Sequence, residues 1–215
     1  FIYASSAAVY GLGEHGYSDC HKANENFRPL NPYGFSKHFF DSWALSKTKT
    51  PPGWFGLRFF NVYGPGENHK GFMQSVVSKA VHEIKEEGSL KLFKSHKEGI
   101  KDGEQKRDFV YVKDLVNVMI ALFQESKKRH LTQESGIYNL GSGKASSFYQ
   151  LACEVFKGLK KEVKINWIPM PEHIRDQYQY FTEAPMEKLR SLEFLDVSFH
   201  SLEEGIQDYL KNSLS

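Results

Sequence analysis

The chain has 215 residues, 40% of them apolar and 25% charged, with a formal charge of +2. That length buries a sizeable core, as one large domain or as two lobes around a cleft. So small a net charge gives no strong pull toward nucleic acid or an anionic membrane, and neither is expected as a partner.

The opening "FIYASS" has no Met and enters an apolar strand pattern at once, so it reads as the interior of a longer protein. Residues 1–4 predict a buried strand ending in the small-residue turn Ser5-Ser6-Ala7-Ala8. A polar loop runs to Pro32, and residues 33–46 predict a helix with Phe39, Phe40, Trp43 and Ala44 on its apolar stripe. Tyr33 and Lys37 lie along one edge of that stripe, which is expected to be half buried. "GWFGLRFFNVYGPG" (53–66) reads as one strand between turns, and 73–87 as a helix closed by Gly88. "SLKLF" and "DFVYV" (108–112) predict strands, and Asp114 is placed to cap a helix over 115–123. "GIYNLGSGKASSF" (136–148) reads as strand, glycine turn and a Ser-capped helix to about 159. "VKINWIPMP" reads as a strand, and 202–210 as a last helix. Strands alternating with helices argue for an α/β fold with a largely parallel sheet.

Cys20 and Cys153 make neither a disulfide framework nor a metal motif, and nine scattered histidines form no metal-binding pair, so no metal is expected. The runs "KSHKEGIKDGEQKR" and "KKR" (127–129) read as solvated loops. No apolar run approaches the roughly 18 residues needed to span a bilayer, and no secretion signal opens the chain; a cytoplasmic protein is the expectation.

Gly11, Gly13 and Gly16 match the G-x-G-x-x-G dinucleotide fingerprint. That motif works only where the third glycine opens a helix aimed at the pyrophosphate. "YSDCHKANENFRPLNP" has no apolar periodicity and ends in two prolines, so the match is read as a decoy. "NLGSGKASS" lacks the order and spacing of a P-loop. Tyr33 and Lys37 are spaced Tyr-x-x-x-Lys, yet with 11 Tyr and 22 Lys in 215 residues about one such pair arises by chance.

Three separated segments raise the weight of that pair: "YASSAAVYG" (3–11), "NPYGFSK" (31–37) and "GLRFFNVYGPG" (56–66). With "RDFVYVKDLVNVMIALF" (107–123) and "YNLGSG" (138–143), their order and intervals resemble the extended short-chain dehydrogenase/reductases acting on nucleotide sugars. "NVYGPGENHKGFMQS", "RDFVYV" and "RDQYQYFTE" resemble the branch that epimerises ADP-linked heptoses at C6 for lipopolysaccharide precursors. The resemblance covers nearly the whole chain. It implies the C-terminal part of a doubly wound NAD(P)-binding Rossmann domain (1–63 and 108–142) plus a smaller α/β substrate lobe (64–107 and 143–215). It further implies bound NADP, with NAD open, a nucleotide-diphosphate sugar substrate and a homo-oligomer, a pentamer in that branch. A chain lacking the glycine fingerprint is expected to turn nothing over alone.

The residue types suit the chemistry. A base that takes a hydroxyl proton while hydride leaves works best near neutral pH, whereas a free Tyr titrates near 10. Lowering it by about three units needs about 4 kcal/mol of preference for the phenolate, and an ammonium roughly 4–5 Å away supplies about that much. Inverting a carbinol carbon through its ketone also needs an acid/base on each face. The resemblance assigns Tyr33 to one face and Lys70 to the other, with Lys37 serving Tyr33 and the cofactor, and Ser6 bonding the reacting oxygen. Val62, with Tyr33, Lys37 and Lys70, is assigned to the cofactor. Asn61, Phe72, Lys79, Phe93, Lys94, Ser95, His96, Arg107 and Tyr178, with Ser6, are assigned to the substrate. Read without the resemblance, Lys70 is an exposed loop cation, and Phe93 and Tyr178 are core or cleft-wall aromatics. Ala7-Ala8 after Ser6 replaces the Asp-Glu pair of the family's dehydratases, which disfavours elimination. Asn61-Val62 differs from the Asn-Pro usual in its UDP-glucose 4-epimerases.

Overall fold

The computed structural model describes residues 1–213, so the last two positions of the 143–215 segment lie outside it. Strand β1 (Ile2–Ser6) passes through a 3-10 turn (Ala7–Tyr10) and a loop into helix α1 (Pro32–Leu45). Asn31 caps α1 by accepting the Gly34 N–H at 2.9 Å, and Pro32 occupies the first turn, where no N–H is needed. Strands β2 (Phe55–Phe59) and β3 (Asn61–Tyr63) follow, then helix α2 (Val76–Glu87) and strand β4 (Leu90–Phe93). Next come β5 (Lys106–Tyr111), α3 (Val112–Lys128), β6 (Gly136–Leu140), β7 (Ala145–Ser147) and α4 (Phe148–Gly158). The chain continues through β8 (Ile165–Ile168), two single-turn helices, α5 (Glu172–Arg175) and α6 (Glu187–Arg190), and α7 (Leu202–Ser213).

Three small sheets result. Strands β1, β2 and β6 pair in parallel in that order, with Ser6 opposite Phe59 and Phe59 opposite Leu140 at their carboxyl ends. Strand β5 joins β3 in parallel and β7 antiparallel, and β4 pairs with β8 in parallel. Strand β5 is the wall between two cores. Val110 packs with Leu57, Leu115, Val118 and Leu140, while Phe109 and Tyr111 pack with Val77, Ile84, Leu151 and Ile206. The 143–215 stretch divides between them: Met186 and Leu189 enter the first core, Tyr209 and Leu210 the second.

The parallel α/β expectation holds, and several element assignments change. The stretch 53–66 is two strands, because the chain leaves the first sheet after Phe59 and pairs Asn61–Tyr63 with β5 instead. Helix α2 begins at Val76 rather than 73, since Ser75 accepts the Ser78 N–H and fixes the start there; Gly88, at φ 69°, ends it as expected. Asp114 is not a cap. Helix α3 starts at Val112, and the buried Asp114 carboxylate accepts the His200 N–H at 2.9 Å from a distant segment. Helix α1 buries Gly34, Asp41 and Ala44, whereas Phe39 is 76% and Trp43 48% exposed. Small residues and a carboxylate seat that helix on the sheet, leaving its aromatics outside. The Ser-capped α4 is as expected, its Ser147 and Gln150 forming a capping box, though β7 precedes it. Residues 17–31 hold no α-helix, only a 3-10 segment at His21–Asn26. Among the described residues no helix is long and apolar enough to cross a membrane.

Candidate functional site at the carboxyl edge of the parallel sheet

Open α/β sheets bind ligands beyond the carboxyl ends of their strands, and Ser6 is the last residue of β1. Its hydroxyl accepts the Ala8 N–H at 3.1 Å, which caps the 3-10 turn. The first turn of α1 presses on that turn through Gly34: a Cβ there would stand 2.8 Å from the Ala8 carbonyl oxygen. Tyr33 directly precedes Gly34 in that first turn and is more than half exposed. One helical turn on, the Lys37 ammonium donates to the Ala4 carbonyl at 2.9 Å and lies 5.7 Å from the centre of the Tyr33 ring. One of its three N–H groups is thus spent on β1, and two are left to face outward.

A buried polar network holds this corner. Asp41, one turn beyond Lys37, accepts Tyr3 Oη at 3.0 Å, Ser5 Oγ at 3.0 Å and Arg58 Nε at 2.9 Å. Arg58 also donates to Tyr10 Oη at 3.1 Å and to Asn24 Oδ1 at 2.6 Å. Burial, only partly offset by the Arg58 charge, pushes the Tyr10 hydroxyl up to about 12. The two charges in this network are paired with each other and its neutral groups are hydrogen-bonded, so it positions the corner and does no chemistry.

Asn61 and Val62 follow two and three residues after Phe59, paired with Phe109 and Val110 of β5. Asn61, Val62 and Gln74 line a cavity of about 180 Å³. Lys70 sits in the 3-10 segment Asn68–Met73, its ammonium 3.8 Å from the buried Glu67 carboxylate. Phe72 is 86% exposed, and Lys79 lies on the solvent side of α2, so neither joins the cluster.

Of the remaining predicted residues, Arg107, Tyr178 and Phe93 form one cluster, while Ser95 and His96 meet Tyr180. Its guanidinium lies 5.2 Å from the Tyr178 ring and 5.7 Å from the Phe148 ring, and it donates to the Lys106 carbonyl at 2.8 Å. Tyr178 meets Phe93 edge-on at 6.4 Å. Ser95 and His96 are fixed by Tyr180: its hydroxyl accepts the His96 N–H at 3.0 Å and lies 3.3 Å from Ser95 Oγ. Lys94 is tied through its backbone, the N–H donating to the Ile168 carbonyl at 2.8 Å, while the residue itself is exposed. The neighbouring Ser95 N–H goes to Asp102 Oδ1 at 2.7 Å. Arg107 is buried, and among the described residues no carboxylate pairs with it. Burial lowers its proton affinity, while the nearby Tyr178 and Tyr17 hydroxyls act the other way. A buried guanidinium flanked by aromatic rings and lacking an internal anion is a ready partner for phosphate.

Tyr180, Asp102, Phe148 and Glu67 belong to these clusters, and the sequence did not single them out. Tyr180, Asp102 and Glu67 lie in loops, which carry no periodicity, and Phe148 opens α4; only the fold brings them to their partners. The glycines at 11, 13 and 16 form tight turns at φ 60°, 80° and 71°. The space beside Gly13 is taken by the Tyr17 hydroxyl and that beside Gly11 by the Arg28 carbonyl, so this segment cradles no phosphate. A larger cavity, about 540 Å³, lies between α4 and residues 199–204 and holds none of the site residues. Among the described residues no three metal-ligating side chains cluster.

Parallel strands alternating with helices, with Ser6 ending β1 and Lys37 of the following helix tied back to that strand, define a Rossmann-like α/β protein. The chain belongs to the NAD dependent epimerase/dehydratase family, whose model matches residues 1–141. It is 49% identical over 223 residues to the ADP-L-glycero-D-manno-heptose-6-epimerase of Fusobacterium nucleatum, covering 100% of this chain and 65% of that protein. It is 45% identical to the protein of that name from Nitratidesulfovibrio vulgaris, covering 100% of this chain and 64% of the relative. The chain therefore spans just under two-thirds of the length of these curated relatives, 65% and 64%. Among solved structures, the Helicobacter pylori ADP-L-glycero-D-manno-heptose-6-epimerase superposes with a TM-score of 0.76 at 31% identity, over 100% of this chain and 60% of that one.

Proposed function

We propose that this chain is part of an epimerase that inverts C6 of ADP-D-glycero-D-manno-heptose by transient oxidation, a step in lipopolysaccharide precursor synthesis. The observation that carries the reading is the corner where the Lys37 ammonium is tethered to the Ala4 carbonyl, 5.7 Å from the centre of the Tyr33 ring, and the first turn of α1 packs on the turn that Ser6 caps. The names of the relatives at 49% and 45% identity support the choice of sugar.

In this reading Tyr33 takes the proton of the substrate hydroxyl and later returns it, with Ser6 bonding the same oxygen. Lys37, tethered to β1 beside the Tyr33 ring, offers its two remaining N–H groups to a cofactor ribose. The donor set at this corner fits the nicotinamide-ribose end of NADP, or of NAD, with Val62 and Lys70 beside it. When bound, the nicotinamide supplies a hydride acceptor and donor. Lys70 handles the proton on the opposite face of the carbon. Asn61 contacts the sugar, Arg107 and Tyr178 hold the diphosphate end, and Phe93, Lys94, Ser95 and His96 border it. Phe72 and Lys79, both solvent-exposed, stand outside the substrate site in this reading. A cytoplasmic homo-oligomer, a pentamer, goes with the reading; the exposed aromatics of α1 offer surface for contacts between copies.

The test is to incubate the full-length natural protein with the ADP-heptose and follow C6 by NMR, in wild type and Tyr33→Phe. Inversion without net cofactor turnover, lost in Tyr33→Phe, is the expected result. Unchanged sugar despite bound cofactor, or net reduction of cofactor by another nucleotide sugar, overturns it.

A further inference from the structure

Lys70 lies in a loop that leaves β3 at Gly64 and returns to helix order at Ser75. Such a segment needs an anchor if a side chain on it is to be held to within a fraction of an ångström. Glu67 is that anchor. Its side chain is only 6% exposed, and it accepts three hydrogen bonds from the two ends of the loop. Gly64 N donates to Oε1 at 3.2 Å, Ser75 N to Oε2 at 2.7 Å and Ser75 Oγ to Oε1 at 2.7 Å. The same carboxylate lies 3.8 Å from the Lys70 ammonium, and the Lys70 N–H donates to the Glu67 carbonyl at 2.9 Å. The exit from β3 is itself tightly packed, since a Cβ on Gly64 would run into the Val112 side chain.

We propose that Glu67 is the positioning residue for Lys70: it clamps both ends of the 64–75 loop and holds the ammonium toward the reacting carbon. The inference rests on the role proposed above for Lys70. Three hydrogen bonds fix the carboxylate, so its one net charge stands at a defined place beside Lys70. A loop staple alone would need the hydrogen bonds but not the charge. Charge and clamp can therefore be separated by substitution.

The experiment uses the full-length natural protein and measures kcat, KM, the pH profile of kcat and thermal stability for Lys70→Met, Glu67→Gln, Glu67→Asp and Ser75→Ala. Displacing a reacting group by about an ångström costs on the order of 10²-fold in rate. Glu67→Gln is expected to lower kcat on that scale with little change in KM, and to move the limb of the profile that Lys70→Met abolishes toward lower pH. Glu67→Asp, which keeps the charge, restores part of the rate. Ser75→Ala, which weakens the clamp and keeps the charge, leaves the profile in place. A Glu67→Gln protein with wild-type kcat and profile, while Lys70→Met is inactive, overturns the positioning role and leaves the site reading intact. Should Glu67→Gln fail to fold, equal losses in Glu67→Asp and Ser75→Ala with an unmoved profile reduce Glu67 to a loop staple and overturn the proposal. An active Lys70→Met overturns the site reading itself.

Discussion

Asp41 and Arg58 form an ion pair closed to solvent, Nε to Oδ2 2.9 Å, with side chains 0% and 1% exposed. The pair joins α1 to β2, and Asp41 lies one turn past Lys37, so the site and the fold share this contact. Burying two charges is expensive, but removing one partner is worse, because the other is left without compensation. Asp41→Ala is expected to destabilise the protein by about 3–5 kcal/mol, read from urea unfolding. A loss under about 1 kcal/mol, the size of an exposed pair, would show that water reaches Arg58.

His21 sets a pH dependence. Its Nε2 accepts the Ile137 N–H at 3.2 Å and lies 3.1 Å from the Lys188 ammonium. Desolvation, then the Lys188 and Arg58 charges, lower its proton affinity from the ordinary 6.5 to about 4. The unfolded chain therefore takes up the proton first. Stability from this group is fully present above about 6.5, falls as pH drops from there to about 4, and is lost below. Urea midpoints between about pH 7.5 and 4.5 should fall more steeply in wild type than in His21→Gln, by up to about one proton in the linkage slope. Parallel slopes would refute the shift.

Gly34 decides between two effects of opposite sign. Helix propensity alone favours Ala over Gly by up to about 1 kcal/mol. At this position an added Cβ stands 2.8 Å from Ala8 O and 2.9 Å from Pro29 Cβ, and the first of these is backbone that cannot rotate away. Overpacking of this kind costs about 1–3 kcal/mol, so Gly34→Ala is expected to lower the melting temperature. Because the same contact seats the turn that carries Tyr33 on the turn that Ser6 caps, the activity proposed for the full-length protein is expected to fall beyond its loss of stability. A melting temperature equal to or above wild type would show that α1 can lift from the turn.

The sequence exposed what is fixed locally and concealed what is fixed by pairing. Asn31-Pro32, Gly88 and Ser147 mark helix ends through caps whose bonds lie within one turn. The break at Phe60 left no mark, because apolar residues continue on both sides and only the change of partner strand separates β2 from β3. Asp114 resembled a cap because acidic residues favour first turns, yet the extended cap position fell to Tyr111 and the carboxylate went to His200. Arg58 did carry a legible signal, a lone cation inside "GLRFF". For the candidate site, Ser6, Tyr33 and Lys37 were picked out through family resemblance, whereas Glu67 and Tyr180 depend on contacts that only the folded loop creates.

Arg107 separates stability from binding. Its guanidinium is buried between Tyr178 and Phe148, without a carboxylate partner among the described residues. Replacing a buried, uncompensated charge with an apolar chain of similar length removes a desolvation penalty, so Arg107→Met is expected to be as stable as wild type or more so. A phosphate would lose its charge-assisted hydrogen bonds, worth about 1.5–3 kcal/mol each. Calorimetry with ADP on the full-length protein should therefore show affinity falling roughly ten- to a hundredfold. Arg107→Lys recovers only part of this, because an ammonium keeps the charge without the planar fork or the stacking on Tyr178. Unchanged ADP affinity in Arg107→Met would place the diphosphate elsewhere, and a large loss of stability would mean that the guanidinium serves the fold.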